Sequence, residues 1–160
     1  MKKEVKALAT LADVEREVLV ECREWGRRRL QERLHQLADQ TGEVSPLRQR
    51  KRRPLTLRTE VGLVKLTVDY GQDPHTQKWF CPQQQAWGLR PHQKITPGLA
   101  EKLCFTAAAS TSYEQAAAVA GRWGVPVDDT LIHQQGQRAG ERADQQAQAR
   151  IPASAAPPPK

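Results

Sequence analysis

The sequence lacks any long hydrophobic run. No segment approaches the roughly 18 consecutive apolar residues that a transmembrane helix requires. The N-terminus, MKKEVKALATLADVERE, carries acidic residues throughout and has no continuous apolar stretch, so it is unlike a secretory signal peptide. The cysteines are three and widely spaced (Cys22, Cys81 and Cys104), which argues against a disulfide framework. These absences together predict a protein of the reducing cytoplasm that has no membrane partner.

Aromatic residues are also scarce. They make up 5% of the 160 residues, and hydrophobic residues make up 38%, so the core should be thin. Trp79 and Trp87 have the chemistry to stack on nucleic-acid bases, but in a chain so poor in aromatics we expect both in the core. Cys22 and Cys104 fall on apolar faces of predicted helices, so we expect them to be core thiols as well.

Recognisable catalytic motifs are missing. The sequence contains no phosphate-binding glycine loop, no HExxH, and no Ser/His/Asp set in a familiar context. The acids that stand out lie beside predicted turns or helix caps (Asp69, Asp73, Asp128 and Asp129). Cys81 starts half of a CxxC pair, and His75 and His92 could add ligands, but a structural zinc needs four ligands and this spacing is irregular. We therefore predict no catalytic residue, no metal and no cofactor.

Positive charge is what the sequence does have. It contains 25 Lys and Arg against 18 Asp and Glu, a net charge of +7 and a pI near 9.7, which favours DNA or RNA as a partner. Residues 41–54 read as a linker, because Thr41-Gly42 and Ser45-Pro46 interrupt a helix. A dense basic run lies inside it: Arg48, Arg50, Lys51, Arg52 and Arg53. Such an arm would contact DNA phosphates or enter a minor groove; the alternative is a solvated linker.

Residues 1–40 are predicted to form a helix with one apolar stripe. The stripe has three- and four-residue steps and resumes after a phase slip near Gly26. Its members are Val5, Leu8, Leu11, Val14, Val18, Cys22 and Trp25, followed by Leu30, Leu34 and Leu37. This near-heptad spacing suits a coiled coil and hence a homodimer. The alternative is a helix packed on its own domain.

Residues 55–95 are predicted to form a small antiparallel sheet. Leu55 and Leu57 share one face of a first strand, and residues 64–68 alternate as a second strand. Gly62 marks a bend, a bulge or a tight hairpin between them. A third extended piece covers residues 78–81. A sheet of two or three strands is too small to fold unless a helix covers it.

Residues 96–150 are predicted to be helical, with a helix-turn-helix at residues 112–140. Ser112 can cap its first helix, Gly124 can end that helix, and Asp128 or Asp129 can cap the second. The second helix offers side chains that can bond base edges or phosphates: His133, Gln134, Gln137 and Arg138. Leu131 and Ile132 should face the core instead. The alternative is an ordinary pair of antiparallel helices.

These elements predict an α+β, mostly helical fold. Its order is a long N-terminal helix, a small antiparallel sheet, and then helices that include the helix-turn-helix. Residues 151–160, which are rich in proline and alanine, should be a linker or a disordered tail.

Three segments in order resemble the N-terminal half of ISKra-type insertion-sequence transposases. They are RTEVGLVKLTVDYG, WGLRPHQKITPGLAEKLCFTAA and SYEQAAAVAGRWGVPVDDTLIHQQGQRAGERAD, within residues 55–150. The resemblance implies that double-stranded DNA at transposon ends is bound through helix-turn-helix regions. It also implies that DNA is cut and joined by a metal-dependent acidic triad in a later RNase H-like domain.

Two departures from that family matter. Gln84 stands where many relatives have the second cysteine of a pair. The chain ends near Pro157 before the first catalytic aspartate would follow, and no residue matches the triad. We therefore expect a DNA-binding fragment or truncated copy that does not itself cut DNA. Two other hypotheses remain: a stand-alone DNA-binding regulator, and a helical protein-interaction module.

Overall fold

The computed structural model describes residues 10–150. The chain divides into two compact units, Met1–Thr96 and Pro97–Lys160. The first contains a long helix and a three-stranded sheet, and the second contains three helices. The predicted α+β, mostly helical fold is confirmed. The stripe residues Val5 and Leu8, and the predicted tail at 151–160, lie outside the described residues. Within the described part of the chain, no helix combines the length and the apolar character needed to cross a membrane.

Helix α1 spans Leu11–Val44, and its two halves have different surroundings. Thr10 caps it through a reciprocal bond with Asp13, whose side chain accepts the Thr10 N–H at 3.0 Å. Residues 11–22 are exposed on every side, whereas Leu30 and Leu34 pack against the core of the sheet. The second half of α1 therefore packs on its own domain, and the self-association predicted for the helix stays a prediction.

The sheet contains three antiparallel strands in the order β1–β2–β3. Strand β1 is Arg48–Thr59, β2 is Gly62–Gln72 and β3 is Trp79–Phe80. The predicted hairpin is confirmed, and its register pairs Leu57 with Val64. A short helix α2, Pro82–Ala86, follows β3. The core of this unit contains Leu57, Val64, Leu66, Val68, Cys81 and Leu89.

The predicted linker at 41–54 is wrong. Helix α1 continues through Gly42, and glycine is needed there because the Asp69 carboxylate occupies the space that a side chain at position 42 would need. The basic run then belongs to β1 rather than to a flexible arm. Two features explain why this run forms a strand. The eleven-residue β2 offers backbone hydrogen bonds to a partner strand of similar length. Because β1 lies at the edge of the sheet, its charged residues and Pro54 are tolerated.

The second unit is a three-helix arrangement in which each helix contacts the other two. Helix α3 is Pro97–Ala109, α4 is Tyr113–Arg122 and α5 is Asp129–Arg150. Its core side chains are Leu99, Leu103, Ala116, Ala120, Val125 and Ile132. The structure confirms α5 beyond Gly140, where every described residue is exposed.

Local signals define α4 and α5 as predicted. The Ser112 hydroxyl accepts the Gln115 N–H at 3.1 Å, and Gly124 takes a left-handed φ of 77° after α4. Of the two candidate caps for α5, Asp128 is the one that accepts the Leu131 N–H, at 2.6 Å. The connection covers residues 123–128, which is longer than the three or four residues typical of a DNA-binding helix-turn-helix.

Candidate nucleic-acid interface

The basic run lies in a strand, so its side chains alternate between two faces. A bulge near Gln49, whose φ is 51°, adds one residue to β1: the register moves from Arg48 opposite Gln72 to Lys51 opposite Tyr70. The inserted residue decides which cations share a face. Beyond the bulge, Lys51 and Arg53 lie on one face, and Arg52 lies on the other.

The first face combines cations with aromatic rings. The Lys51 ammonium lies 5.9 Å from the centroid of the Trp79 ring, and the Arg53 guanidinium carbon lies 4.2 Å from that of Tyr70. The two rings stack with centroids 5.5 Å apart and an angle of 23° between their planes. We name Lys51, Arg53, Tyr70 and Trp79 the cation–aromatic face. The expected core position of Trp79 is wrong, since Trp79 is 41% exposed, whereas Trp87 does pack against the core.

Arg50 is held on the other side, at the C-terminus of α1. Its guanidinium donates to the carbonyl oxygens of Gly42 and Ser45, both at 2.8 Å. These carbonyls belong to the end of the helix, where a cation also interacts favourably with the helix dipole. Arg50 therefore joins β1 to α1, and this contact competes with binding a phosphate.

Asp69 provides the negative charge beneath the two arginines. It is 5% exposed, its Oδ2 lies 4.0 Å from the Arg50 guanidinium, and its Oδ1 lies 4.0 Å from Arg52 Nε. Arg52 also lies 3.7 Å from Asp39, but its side chain is 71% exposed, so it stays accessible to a ligand. Asp69 belongs to β2, so placing it beside a turn was wrong.

A buried glutamine orients Asp69. Gln83 donates to Asp69 Oδ2 at 3.2 Å and to the carbonyl of Ala38 at 3.0 Å, and it accepts the Asp69 N–H at 3.1 Å. Asp69 Oδ1 has no hydrogen-bond partner among the described residues. Burial raises the pKa of the neighbouring Cys81 thiol, and the Asp69 charge raises it further. The half-CxxC cysteine is therefore a core residue here.

In the second unit, the side chains predicted to contact DNA differ in how deeply they are buried. Gln134, Gln137 and Arg138 are exposed and share one face of α5, because they are three and four residues apart. Ile132 is fully buried, as predicted, while Leu131 is only half-buried. His133 is half-buried, with its ring edge-on to Tyr113 at a centroid distance of 4.9 Å. The histidine thus has a packing contact that the other three candidates do not share.

The net charge belongs to the first unit. Residues 1–96 contain 19 Lys and Arg against 12 Asp and Glu, whereas residues 97–160 contain six of each. The whole excess of +7 therefore accompanies the sheet, and the helical unit is neutral. Counting charges by predicted domain would have found this from the sequence alone.

The remaining candidate ligands stay apart. Among residues 10–150, no three His, Cys, Asp or Glu side chains converge as a metal site would require. Asp73 accepts the N–H groups of His75 at 2.7 Å and Thr76 at 3.0 Å, and those bonds lower its pKa, so its turn role is confirmed. Cys22, expected in the core, is exposed, while Cys104 is half-buried and its thiol contacts the Gln135 carbonyl at 3.4 Å.

Comparison with known proteins adds no relative. The sequence matches no family model, and neither a curated protein nor a solved structure gives a match.

Proposed function

We propose that this chain binds double-stranded DNA as the N-terminal recognition region of a transposase. The observation that carries the proposal is the concentration of the entire net charge in the unit whose edge strand bears the basic run. An edge strand presents its side chains in fixed order, so several cations can meet successive phosphates together. The resemblance of residues 55–150 to ISKra-type transposases supports transposon ends as the target.

The two units have different roles in this proposal. Lys51, Arg53 and the exposed Arg48 contact phosphates, which gives affinity without sequence information. Gln134, Gln137 and Arg138 lie on a capped helix and have the chemistry to read base edges, since Gln pairs with adenine and Arg with guanine. Affinity and specificity would then arise in separate parts of the chain.

The proposal assigns no catalytic role to this chain. Phosphoryl transfer with two metal ions requires several carboxylates that converge on sites about 4 Å apart. Among the described residues, Asp13 and Asp128 cap helices and Asp73 closes a turn. Four further acids pair with arginines: Glu24, Glu32, Asp39 and Asp69. We therefore expect no strand cleavage by the purified chain with magnesium or manganese. We also propose that it acts in the cytoplasm, where its three free thiols stay reduced.

A second candidate function, self-association, is favoured by the first half of α1. The exposed residues Leu11, Val14, Val18, Cys22 and Trp25 follow steps of three, four, four and three, a spacing that reads the same in both directions. They lie on the side of the helix opposite Leu34 and Ala38, which face the sheet unit. Two antiparallel copies can therefore mesh around Val18 with two-fold symmetry.

Light scattering tests self-association directly. The wild-type chain should behave as a dimer at micromolar concentration, and Val18→Asp should behave as a monomer with an unchanged circular dichroism spectrum. Placing a cysteine at position 14 should allow a disulfide with Cys22 of the other copy. A monomeric wild-type chain would leave α1 as a surface for a different protein.

Selection from a random duplex library tests the proposed function against its alternatives. Enrichment of a sequence that recurs in inverted repeats flanking the gene supports a transposase. Enrichment of an unrelated site supports a stand-alone regulator. Failure to retain any duplex at low salt would contradict DNA binding and leave the helical interaction module.

A further inference from the structure

The sheet carries a stacked aromatic pair of which only one ring, that of Tyr70, packs against the core. Tyr70 is half-buried and packs against the core cluster, whereas Trp79 is 41% exposed. Strand β3, which carries Trp79, pairs only through Gly71 and Gln72. Tyr70 thus anchors the stack on the core, and the Trp79 ring is the more exposed of the two, with the Lys51 ammonium beside it.

Register places the two cations beside the same rings. Lys51 lies directly opposite Tyr70, and Trp79 lies opposite Gln72, two residues further along β2 on the same face. The resulting surface alternates cation and ring, at 5.9 Å for Lys51 and Trp79 and 4.2 Å for Arg53 and Tyr70. Positive charge beside exposed aromatic rings is the combination with which β-sheet surfaces bind single strands.

We propose that the cation–aromatic face binds single-stranded DNA by stacking an unpaired base on Trp79. Lys51 and Arg53 contact the phosphates on either side of that base. Stacking needs a π face and no particular base edge, so the face accepts any base. This inference rests on the proposed function, because it gives DNA binding by the same strand an additional substrate form: bases that fraying exposes at a duplex end.

The four Trp and Tyr residues of the cation-rich unit differ in a way that supports this assignment. Trp87 and Tyr70 pack against the core. Trp25 is exposed on α1, and its ring stacks on no other ring of the described residues. Trp79 is both exposed and flanked by cations of β1. Trp25 lies in the stripe proposed for self-association, so the control is Phe105, an aromatic side chain that is 72% exposed on α3 of the neutral unit.

The experiment compares two fluorescein-labelled DNAs by anisotropy. One is an oligothymidine strand of about 12 nucleotides, within the site size of a small β-fold. The other is a duplex closed by a hairpin at both ends, which offers no unpaired end. Trp79→Leu keeps apolar volume without a π face, and Trp79→Phe keeps a smaller π face.

We expect Trp79→Leu to weaken oligothymidine binding by roughly 5- to 150-fold, because a base–aromatic stack contributes that much by substitution. Trp79→Phe should recover most of the loss, and Phe105→Leu should bind like the wild type. Binding to the closed duplex should change by less than about twofold in all three variants. Oligothymidine should also quench tryptophan fluorescence of the wild-type chain, and Trp79→Leu should remove that quenching.

Each remaining result has a defined meaning. Equal losses on both DNAs, or unchanged oligothymidine binding by Trp79→Leu, overturn the stacking site. Binding of the closed duplex without binding of oligothymidine overturns this inference and leaves the proposed function intact. Binding of oligothymidine without binding of the closed duplex supports this inference and contradicts the proposed binding of double-stranded DNA. A wild-type chain that binds neither DNA contradicts both the inference and the proposed function.

Discussion

The sheet unit and the helical unit differ in charge and in the side chains that they offer for the proposed contact with DNA. The sheet unit contains 19 basic and 12 acidic residues, and it fixes its cations by pairing β1 with β2 and by anchoring Arg50 to the end of α1. The helical unit contains six of each charge and presents uncharged Gln134 and Gln137 beside one arginine on a capped helix. The sheet unit therefore offers positive charge, and the helical unit offers side chains that can hydrogen-bond base edges.

This difference teaches that the helix-turn-helix pattern and the basic composition are separate signals. A neutral unit gains little from counterion release, so its contacts depend on geometry. A strand of cations gains much from it but does not distinguish sequences. Variants of one unit should therefore change one property of binding and leave the other, and three such variants test the comparison.

The largest expected effect comes from removing the core of the helical unit. Ile132 is fully buried, so Ile132→Ala should destabilise this unit by about 2–5 kcal/mol. The variant should bind the selected duplex and a scrambled duplex equally well, while its affinity for both should keep the salt dependence of the wild type. Thermal melting by circular dichroism and anisotropy on both duplexes measure this. Leu131→Ala, at a half-buried position, is the control and should cost less; loss of the salt dependence with Ile132→Ala would show that the units do not act separately.

The next effect comes from the strand. Replacing Arg48, Lys51 and Arg53 with alanine should flatten the slope of log K against log salt by up to about 3 units, since each phosphate contact contributes about 0.9. Arg50 is left in place because it anchors α1. The control replaces three exposed arginines of α1 (Arg16, Arg29 and Arg33), which removes the same charge elsewhere. A similar slope in both triple variants would mean that net charge, and not the strand, determines affinity.

The smallest effect comes from the exposed face of α5. Gln134→Ala with Arg138→Ala should narrow the gap between selected and scrambled duplexes, each contact being worth about 1–3 kcal/mol of discrimination. The salt slope should fall by no more than about one unit, from the single arginine. The matched control is Arg142→Ala with Gln146→Ala, the same residue types at the same spacing further along α5. If the first pair keeps its full preference, recognition lies outside this face.

Much of the fold followed from local signals. Ser112, Gly124 and Asp128 define helix ends through their own side chains or φ angles, and the turn before Gly62 follows from alternation on both sides. Such features depend on a few neighbouring residues, so a sequence can reveal them without any knowledge of distant contacts. The buried position of Ile132 follows similarly from helical periodicity.

What the sequence concealed depends on contacts between distant residues. The sequence predicts that α1 ends near Gly42. In the structure the helix continues there, and Asp69 of β2, 27 positions later in the chain, packs against Gly42. The basic run lacks the apolar alternation of a strand, so it suggested a linker. The length of β2 was the available signal, since a strand of that length requires a partner. The bulge at Gln49 determines the sides of the strand on which Arg50 and Lys51 lie, and no residue preference in the sequence predicts a bulge at this position.

The anchorage of Arg50 has a consequence for spacing along DNA. Because it joins β1 to the end of α1, the direction of the helix and the position of the strand are fixed together. From Val18 to Gly42 an α-helix rises about 36 Å. Two copies that meet at Val18 would then place their basic strands about 72 Å apart, close to two turns of B-DNA at about 34–36 Å each. The half-sites of such a pair should therefore be separated by roughly two turns of the double helix, on the same side.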